Sequence, residues 1–176
     1  MKIHLQQKNK AFTLVETLVA ISIFTMSILG LLMILSQGIS DTGYAKKKMT
    51  ASYLAQEGIE YIRNIRDTEV LYSTTGNPWN NFRAKLASCN SGNGCGFIKP
   101  PPFDVFVCNN PNLCKLYINN GGYDTDSNGI DSGFIRQIWA ETSVSDEIKI
   151  FSNVSWTQGS GNYNITFSEE LFNWVE

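Results

Sequence analysis

Histidine and proline are scarce in this chain of 176 residues, which has one histidine and five prolines. The only histidine is His4, so the chain beyond it offers no imidazole for Ser-His-Asp or Cys-His catalysis or for metal ligation. The sequence also lacks a glycine-rich phosphate loop, a Ser or Cys beside a candidate base, and a carboxylate pair that could flank a cleft. Its formal net charge of −2, without a basic patch, argues against direct nucleic-acid binding. We therefore expect a protein that is not an enzyme.

Charged residues are almost absent from a long segment near the N-terminus. The segment Met1–Ala11 carries three lysines and no acid, and between Phe12 and Leu35 the only charged residue is Glu16. An apolar run of this length can cross a bilayer as a helix, which takes roughly 20 residues. A carboxylate costs about 2.5 to 3.5 kcal/mol at mid-bilayer and less near an interface. Glu16 therefore either reaches water at the membrane rim or has a partner.

The residues around Glu16 favour a partner. A basic leader, a small residue and then FTLVETLVA, with Glu16 four residues beyond Phe12, resemble the N-terminus of type IV prepilins and pseudopilins. The resemblance implies that a prepilin peptidase cuts between Ala11 and Phe12 and methylates the new amine. It also implies a helical filament in which Glu16 pairs with the Phe12 amine of another subunit. The family usually has Gly before the cut, and we expect Ala11 to allow cleavage at a lower rate.

The resemblance also implies partners and a location. The partners would be prepilin peptidase, other pilin or pseudopilin subunits, an inner-membrane assembly platform and the membrane itself. The basic leader keeps the N-terminus cytoplasmic, so a single-pass inner-membrane protein with an extracytoplasmic head would precede the filament. Lys46–Lys48 lie on the far side, and we interpret them as solvated helix charges. A type IV pilus, a type II secretion pseudopilus and a DNA-uptake pseudopilus all stay open.

From Phe12 to about Asp67 the chain has no proline, and its second part has a one-sided apolar stripe. This pattern predicts one long helix with a lipid-facing first half and a second half against a globular head. The segment Ser36–Tyr44 is its weakest part because of two glycines, and we expect a bend or local melting there. The stripe consists of Ala51, Leu54, Ala55, Gly58, Ile59, Ile62 and Ile65.

Two segments narrow the resemblance toward minor pilins of the PilV-like type: Ser27–Leu32 and Ala51–Asp67. The implied fold is α+β and type IV pilin-like, with a long N-terminal helix packed on a small antiparallel β-sheet head. The expected regions are a leader peptide (1–11), a transmembrane and filament-core helix (12–36), an amphipathic half of the helix (37–67) and an extracytoplasmic globular head (68–176).

The head is predicted to be a long connection followed by strands. Between Thr68 and Pro102 turn-forming residues dominate, which predicts little regular structure, although Trp79 and Phe82 should pack back on the helix. An exposed ligand-stacking role for Trp79 is the lesser alternative. Alternating runs then predict an antiparallel sheet of about four or five strands on the helix. The runs are Phe103–Cys108, Leu113–Ile118, Phe134–Glu141, Ile148–Trp156 and Tyr163–Phe167.

The last two runs predict a hairpin through the turn TQGSGN. The tail, Ser168–Val175, should add a short helical turn or a last strand with Leu171 and Trp174 buried.

Four cysteines, Cys89, Cys95, Cys108 and Cys114, form two C-x5-C pairs. Structural zinc sites favour two to four intervening residues, and an extracytoplasmic head lies in an oxidising space. Two disulfides are therefore favoured over zinc. Of the three possible connectivities we favour the local one, Cys89 with Cys95 and Cys108 with Cys114, which would hold a loop-rich region.

The segment Tyr123–Gly133 partly matches a calcium-binding loop. Asp124, Asp126, Asn128 and Gly129 occupy its first, third, fifth and sixth places, but Ile135 replaces the bidentate acid at the twelfth. Asp131 or Glu141 could replace that acid, and an ion-free turn is the alternative. Some pseudopilins of the resembled family carry structural calcium, and the resemblance therefore makes a structural calcium possible here. We expect no required cofactor. The candidate ligands are Asp124, Asp126, Asn128, Ile130 and Asp131.

A different class of protein fits the same sequence. An uncleaved, single-span anchored protein could use its extracytoplasmic head to bind calcium or a surface ligand without forming a filament. The Phe12 and Glu16 pairing separates the two hypotheses, because only the filament needs it.

Overall fold

The computed structural model describes residues 13–74, 76–90, 92–98 and 104–173. Two compact units divide the chain, Met1–Gly43 and Tyr44–Glu176. The predicted cleavage residues Ala11 and Phe12, and also Trp174, lie outside the described residues.

One long helix, α1 (Leu14–Tyr72), confirms the predicted helix and extends it by one turn beyond Asp67. Thr13 precedes the helix, and its Oγ1 accepts a hydrogen bond from the Glu16 backbone N–H at 3.3 Å. The backbone stays helical through Ser36–Tyr44, so the expected local melting is wrong. Glycine costs only about 1 kcal/mol relative to alanine in a helix, and no proline removes a backbone donor here.

The first unit consists of the apolar part of α1. Its large side chains are exposed, among them Leu14, Phe24 and Leu31, and an 18-residue window reaches a mean hydropathy of 2.6 with no part buried. Hydroxyl groups in this part donate to carbonyls of the preceding turn, as Thr25 Oγ1 does to Ser22 O at 2.9 Å. By length and composition, α1 can therefore cross a membrane.

The second unit carries a seven-stranded antiparallel sheet. It also carries a short helix, α2 (Pro78–Leu86), and a 3-10 turn, Pro111–Cys114. The strands are β1 (Cys95–Ile98), β2 (Asp104–Val107), β3 (Lys115–Asn119), β4 (Gly122–Asp124), β5 (Ile130–Val144), β6 (Glu147–Gln158) and β7 (Gly161–Phe172). In the sheet, the path β2-β1-β5-β3-β4 is extended by β6 beside β5 and by β7 beside β6.

The structure corrects the prediction for the connection between Thr68 and Pro102. This segment contains the end of α1, all of α2 and β1, so it is not largely irregular. Trp79 and Phe82 lie on α2 and are buried in the core beside α1, as predicted. The Trp79 ring is 3% exposed and its Nε1 donates to Ser145 O at 2.8 Å, which rules out an exposed stacking role.

The second half of α1 packs on one face of the sheet. All seven residues of the predicted apolar stripe are buried. Gly58 lies at a close contact between the helix and the sheet, since a Cβ there would overlap Ser152 Oγ and would lie 2.9 Å from Ile138 Cδ1. Burial of this stripe explains why the second half of α1 has a sharp 3.6-residue period and the first half has none.

A charged contact adds to this packing. Arg136 is 3% exposed and its Nη1 lies 2.6 Å from Glu57 Oε2 and 3.1 Å from Leu54 O. Its guanidinium also lies 5.6 Å from the Tyr61 ring centre and 5.2 Å from that of Phe97. A buried arginine thus joins β5 to α1 and has its charge balanced there.

The β6–β7 hairpin is confirmed. Its strands pair from Glu147 with Phe172 to Gln158 with Gly161, and Gly159 in the turn has a φ of 58°. The tail continues β7 to Phe172 as a strand, and Leu171 is 2% exposed. The sheet therefore has seven strands instead of the four or five predicted, because β1 and β4 were not recognised.

Candidate functional site

Glu16 stands alone on the exposed apolar surface of α1. It is the only acidic residue in the first turn, and the helix carries no further charge until Asp41. Among the described residues, its carboxylate has no ion-pair or hydrogen-bond partner, because only its backbone N–H is engaged. A carboxylate in this position needs either water or a positive group supplied from outside the described residues.

Thr13 is a residue of this site that we did not predict. Its hydroxyl caps the helix by accepting the Glu16 N–H, and Thr13 with Glu16 has the T-x-x-E spacing of a capping box. That spacing was visible in the sequence. Glu16 therefore has two roles available, because its backbone helps to begin the helix while its side chain stays open to a partner.

The predicted processing site, upstream of Glu16, would supply the positive group that Glu16 needs. Ala11 and Phe12 lie outside the described residues, so the predicted processing site stays a prediction. An α-amine at Phe12, released by cleavage, would supply such a positive group. Such an amine on another copy could neutralise the Glu16 carboxylate inside an apolar contact.

Two disulfides hold the start of the sheet. Cys89 pairs with Cys95 and Cys108 with Cys114, with Cα–Cα distances of 5.2 and 5.8 Å. All four cysteines are at most 2% exposed, and the described residues contain no free cysteine. The first disulfide links the end of the α2 region to β1, and the second links the end of β2 to the 3-10 turn.

The candidate calcium loop has its carboxylates turned toward N–H donors. Asp124 Oδ1 accepts from Asn119 Nδ2 at 2.7 Å and from the Asp126 N–H at 2.9 Å. Asp126 Oδ1 accepts from both the backbone and the side-chain nitrogen of Asn128, at 3.0 and 2.8 Å. The two contacts with the backbone N–H groups of Asp126 and Asn128 are those of Asx turns, which an Asp- and Asn-rich loop forms without an ion.

The remaining candidates of this loop do not complete a calcium site. Asp131 Oδ2 lies 2.7 Å from Lys115 Nζ, and its Oδ1 accepts from the Gly133 N–H at 2.9 Å. Ile130 could offer only its backbone carbonyl, and it begins β5 in register with Ile118 of β3. Glu141 is unsuitable as the closing ligand, because ten residues of extended strand separate it from Asp131, about 30 Å.

No group of three or more His, Cys, Asp or Glu side chains in the described part of the chain is placed to hold a metal ion. For Asp131 to bind calcium, the Lys115 ammonium would have to be displaced from its carboxylate. Calcium binding stays a prediction without a supporting contact.

Comparison with known proteins identifies the N-terminal region. Residues 6–35 match a family model described as the prokaryotic N-terminal methylation motif. No curated protein and no solved structure matches the chain. The match ends before Ala51–Asp67, so the narrower PilV-like resemblance stays a prediction. Residues 6–35, which include Ala11, Phe12 and Glu16, are thus a type IV prepilin-like signal on a chain with a pilin-like α+β fold.

Proposed function

We propose that this protein is a structural pilin or pseudopilin subunit. Prepilin peptidase cuts it between Ala11 and Phe12 and methylates the new N-terminus, and the chain then enters a filament through α1. The single observation that carries the proposal is the methylation motif at residues 6–35, which ends in an exposed apolar helix with Glu16 as its lone charge.

The exposed apolar helix supports assembly with other copies of similar helices. Side chains such as Val19, Ile23 and Leu32 are 48%, 61% and 55% exposed, so much of their apolar surface is open to a partner. In the membrane their partner is lipid, and in a filament it is the α1 helices of other subunits. Transfer between these two environments costs little, since both are apolar.

The two disulfides support an extracytoplasmic location for the head. Disulfides persist in oxidising compartments and are rare in reducing cytosol. Together with the basic leader, they indicate a single-pass protein of the inner membrane whose head faces outward before it joins a filament. The assembly platform and other pilin subunits are its expected partners, and the head is not expected to carry out catalysis.

Filament incorporation of a Glu16→Gln variant tests the proposal. Gln keeps the size of the side chain and still suits a capping box, so the variant removes the charge while preserving the start of the helix. We expect at least a tenfold smaller share of the protein in the sheared filament fraction, with an unchanged amount in the membrane.

The matched control is Glu60→Gln, which removes one negative charge from an exposed position on the same helix. It should enter filaments at the wild-type level. A Glu16→Gln variant that also enters filaments at that level would contradict the proposal and favour the single-span anchored protein.

A further inference from the structure

Three consecutive lysines follow the apolar part of α1 and have no role in the proposed function. Lys46 and Lys48 are exposed and Lys47 is half-buried; we call Lys46, Lys47 and Lys48 the lysine collar. We propose that the lysine collar binds the phosphate groups of anionic lipids in the extracytoplasmic leaflet. The inference rests on the membrane-spanning part of the proposed function, and it requires neither cleavage nor filament assembly.

Charge pairing sets the collar apart from the other lysines. Each other lysine of the described head has an acidic partner, since Lys85 pairs with Glu69, Lys115 with Asp131 and Lys149 with Glu170, at 2.7, 2.7 and 3.1 Å. Among the described residues, no carboxylate lies within ion-pair distance of a collar ammonium. The collar therefore presents three positive charges that the head does not neutralise.

The contacts that the collar does make are with neutral groups. Lys47 Nζ donates to Thr157 O at 2.9 Å, and Lys48 Nζ lies 5.9 Å from the centre of the Tyr44 ring. A carbonyl and an aromatic face leave the ammonium charges uncompensated, so an anion can still be bound.

The arrangement of the collar suits a planar layer of anions. Consecutive helical residues are turned by about 100° and rise about 1.5 Å, so three lysines in a row surround much of the helix at one level. A protein partner would meet one face of a helix and would favour a spacing of three or four residues. Lipid phosphates surround a membrane helix on all sides.

The position of the collar in the chain brings it within reach of the headgroups. The uncharged run Thr17–Ser40 corresponds to about 36 Å of helix, which spans a hydrocarbon core of about 30 Å with an ordinary tilt. The collar begins six residues further on, about 9 Å of helix. Lysine stems are long and side chains on a helix tilt toward its N-terminus, which shortens the distance that a collar ammonium must reach.

Aromatic side chains at the same end of the head support the inference. The Tyr44 ring lies 5.0 Å from that of Tyr163 and 6.2 Å from that of Trp156, and Tyr163 is 37% exposed. The contact of Lys47 with Thr157 places the collar beside this aromatic cluster. Tyrosine and tryptophan beside lysine are typical of the interface between membrane and water.

Amine labelling of the full chain in lipid nanodiscs tests the inference. Discs of phosphatidylcholine alone and discs with one-third phosphatidylglycerol are treated with a water-soluble acylating reagent, and peptide masses give the rate at each lysine. We expect the collar to react about fivefold more slowly in the phosphatidylglycerol discs, and the difference to vanish at high salt. Lys115 and Lys149 serve as internal controls whose rates should not differ between the discs.

Two results would overturn the inference. One is equal collar rates in both kinds of disc. The other is the same protection by inorganic phosphate in phosphatidylcholine discs, which would indicate a free anion as the ligand. Native mass spectrometry gives a second readout, in which a variant with all three collar lysines changed to Gln should retain fewer phosphatidylglycerol molecules than Lys149→Gln. The N-terminal cleavage state, measured on the same samples, reports separately on the proposed function.

Discussion

The two halves of α1 differ in the exposure of their apolar side chains, although they belong to one continuous helix. In the first half every side chain from Leu14 onward is exposed and the apolar residues surround the helix. In the second half a stripe from Ala51 to Ile65 is buried against the sheet, and the opposite face is charged. Within the described residues, therefore, only the second half is buried against an apolar partner.

The comparison also applies to charge. The head balances its acids internally, as Glu57 does with Arg136 and Asp131 with Lys115. Glu16 has no such partner within residues 13–74, 76–90, 92–98 and 104–173. In this described part of the chain, the first half lacks both an apolar contact and a counter-charge. In the proposed function, another subunit of the filament supplies both.

The largest difference in stability should appear when one isoleucine from each half is truncated and the two variants are compared. Ile62 is 0% exposed and Ile23 is 61% exposed. We predict that Ile62→Ala lowers the free energy of unfolding of the head by about 2 to 5 kcal/mol, since it removes buried contacts and leaves a cavity. Ile23→Ala should leave that free energy unchanged. Urea unfolding of the full chain in detergent micelles, followed by tryptophan fluorescence, measures both, and equal effects would contradict the comparison.

A smaller effect should follow from removing a counter-charge within the head. Glu57→Gln leaves the buried Arg136 without its carboxylate, and we predict a loss of about 2 kcal/mol. Glu60→Gln affects only an exposed pair with Arg63 and should cost less than about 0.5 kcal/mol. The same unfolding measurement applies. A loss from Glu60→Gln as large as that from Glu57→Gln would mean that burial does not set the difference.

The smallest effect concerns Asp131. The hydrogen bond from Lys115 and that from the Gly133 backbone N–H lower the pKa of the Asp131 carboxyl. Because this pKa is lower in the folded state than in the unfolded state, the ionised carboxylate stabilises the fold at pH values above the unfolded pKa. The stabilisation is lost as the pH falls through the folded pKa. Lys115→Gln should move the Asp131 pKa back toward its ordinary value, as measured by a carboxyl NMR titration. Lys149→Gln, the control, should leave it in place.

Regular patterns made much of the fold predictable. The stripe on α1 and the alternation in β6 and β7 were visible because each is long and has one buried face. Glu16 stood out because charge is absent around it. The local pairing of the cysteines was favoured from spacing, and the structure contains that pairing.

Short elements stabilised by tertiary contacts were not predictable in the same way. Helix α2 has only nine residues and begins after Asn77 with Pro78, and this Asn-Pro pair resembled a turn. The helix is stabilised by burial of Trp79 and Phe82, which the local sequence does not reveal. Strand β4 depends on a tight turn at Asn120 and Gly121, which have φ values of 49° and 81°. That Asn-Gly signal for a hairpin was present in the sequence.

The calcium hypothesis shows a limit of a different kind. The spacing of Asp124, Asp126 and Asn128 suits calcium and suits Asx turns equally well. Lys115, which engages Asp131, comes from β3 and lies sixteen residues away in the chain. A pattern confined to the loop could not reveal a partner supplied by another strand.

The mass of the mature N-terminus tests the filament hypothesis most directly. The protein is recovered from its native membrane with prepilin peptidase present, and its intact mass and N-terminal peptide are determined. We predict a chain that begins at Phe12 and carries one added methyl group. A chain that still begins at Met1 would contradict the proposed function and would favour an uncleaved, membrane-anchored protein.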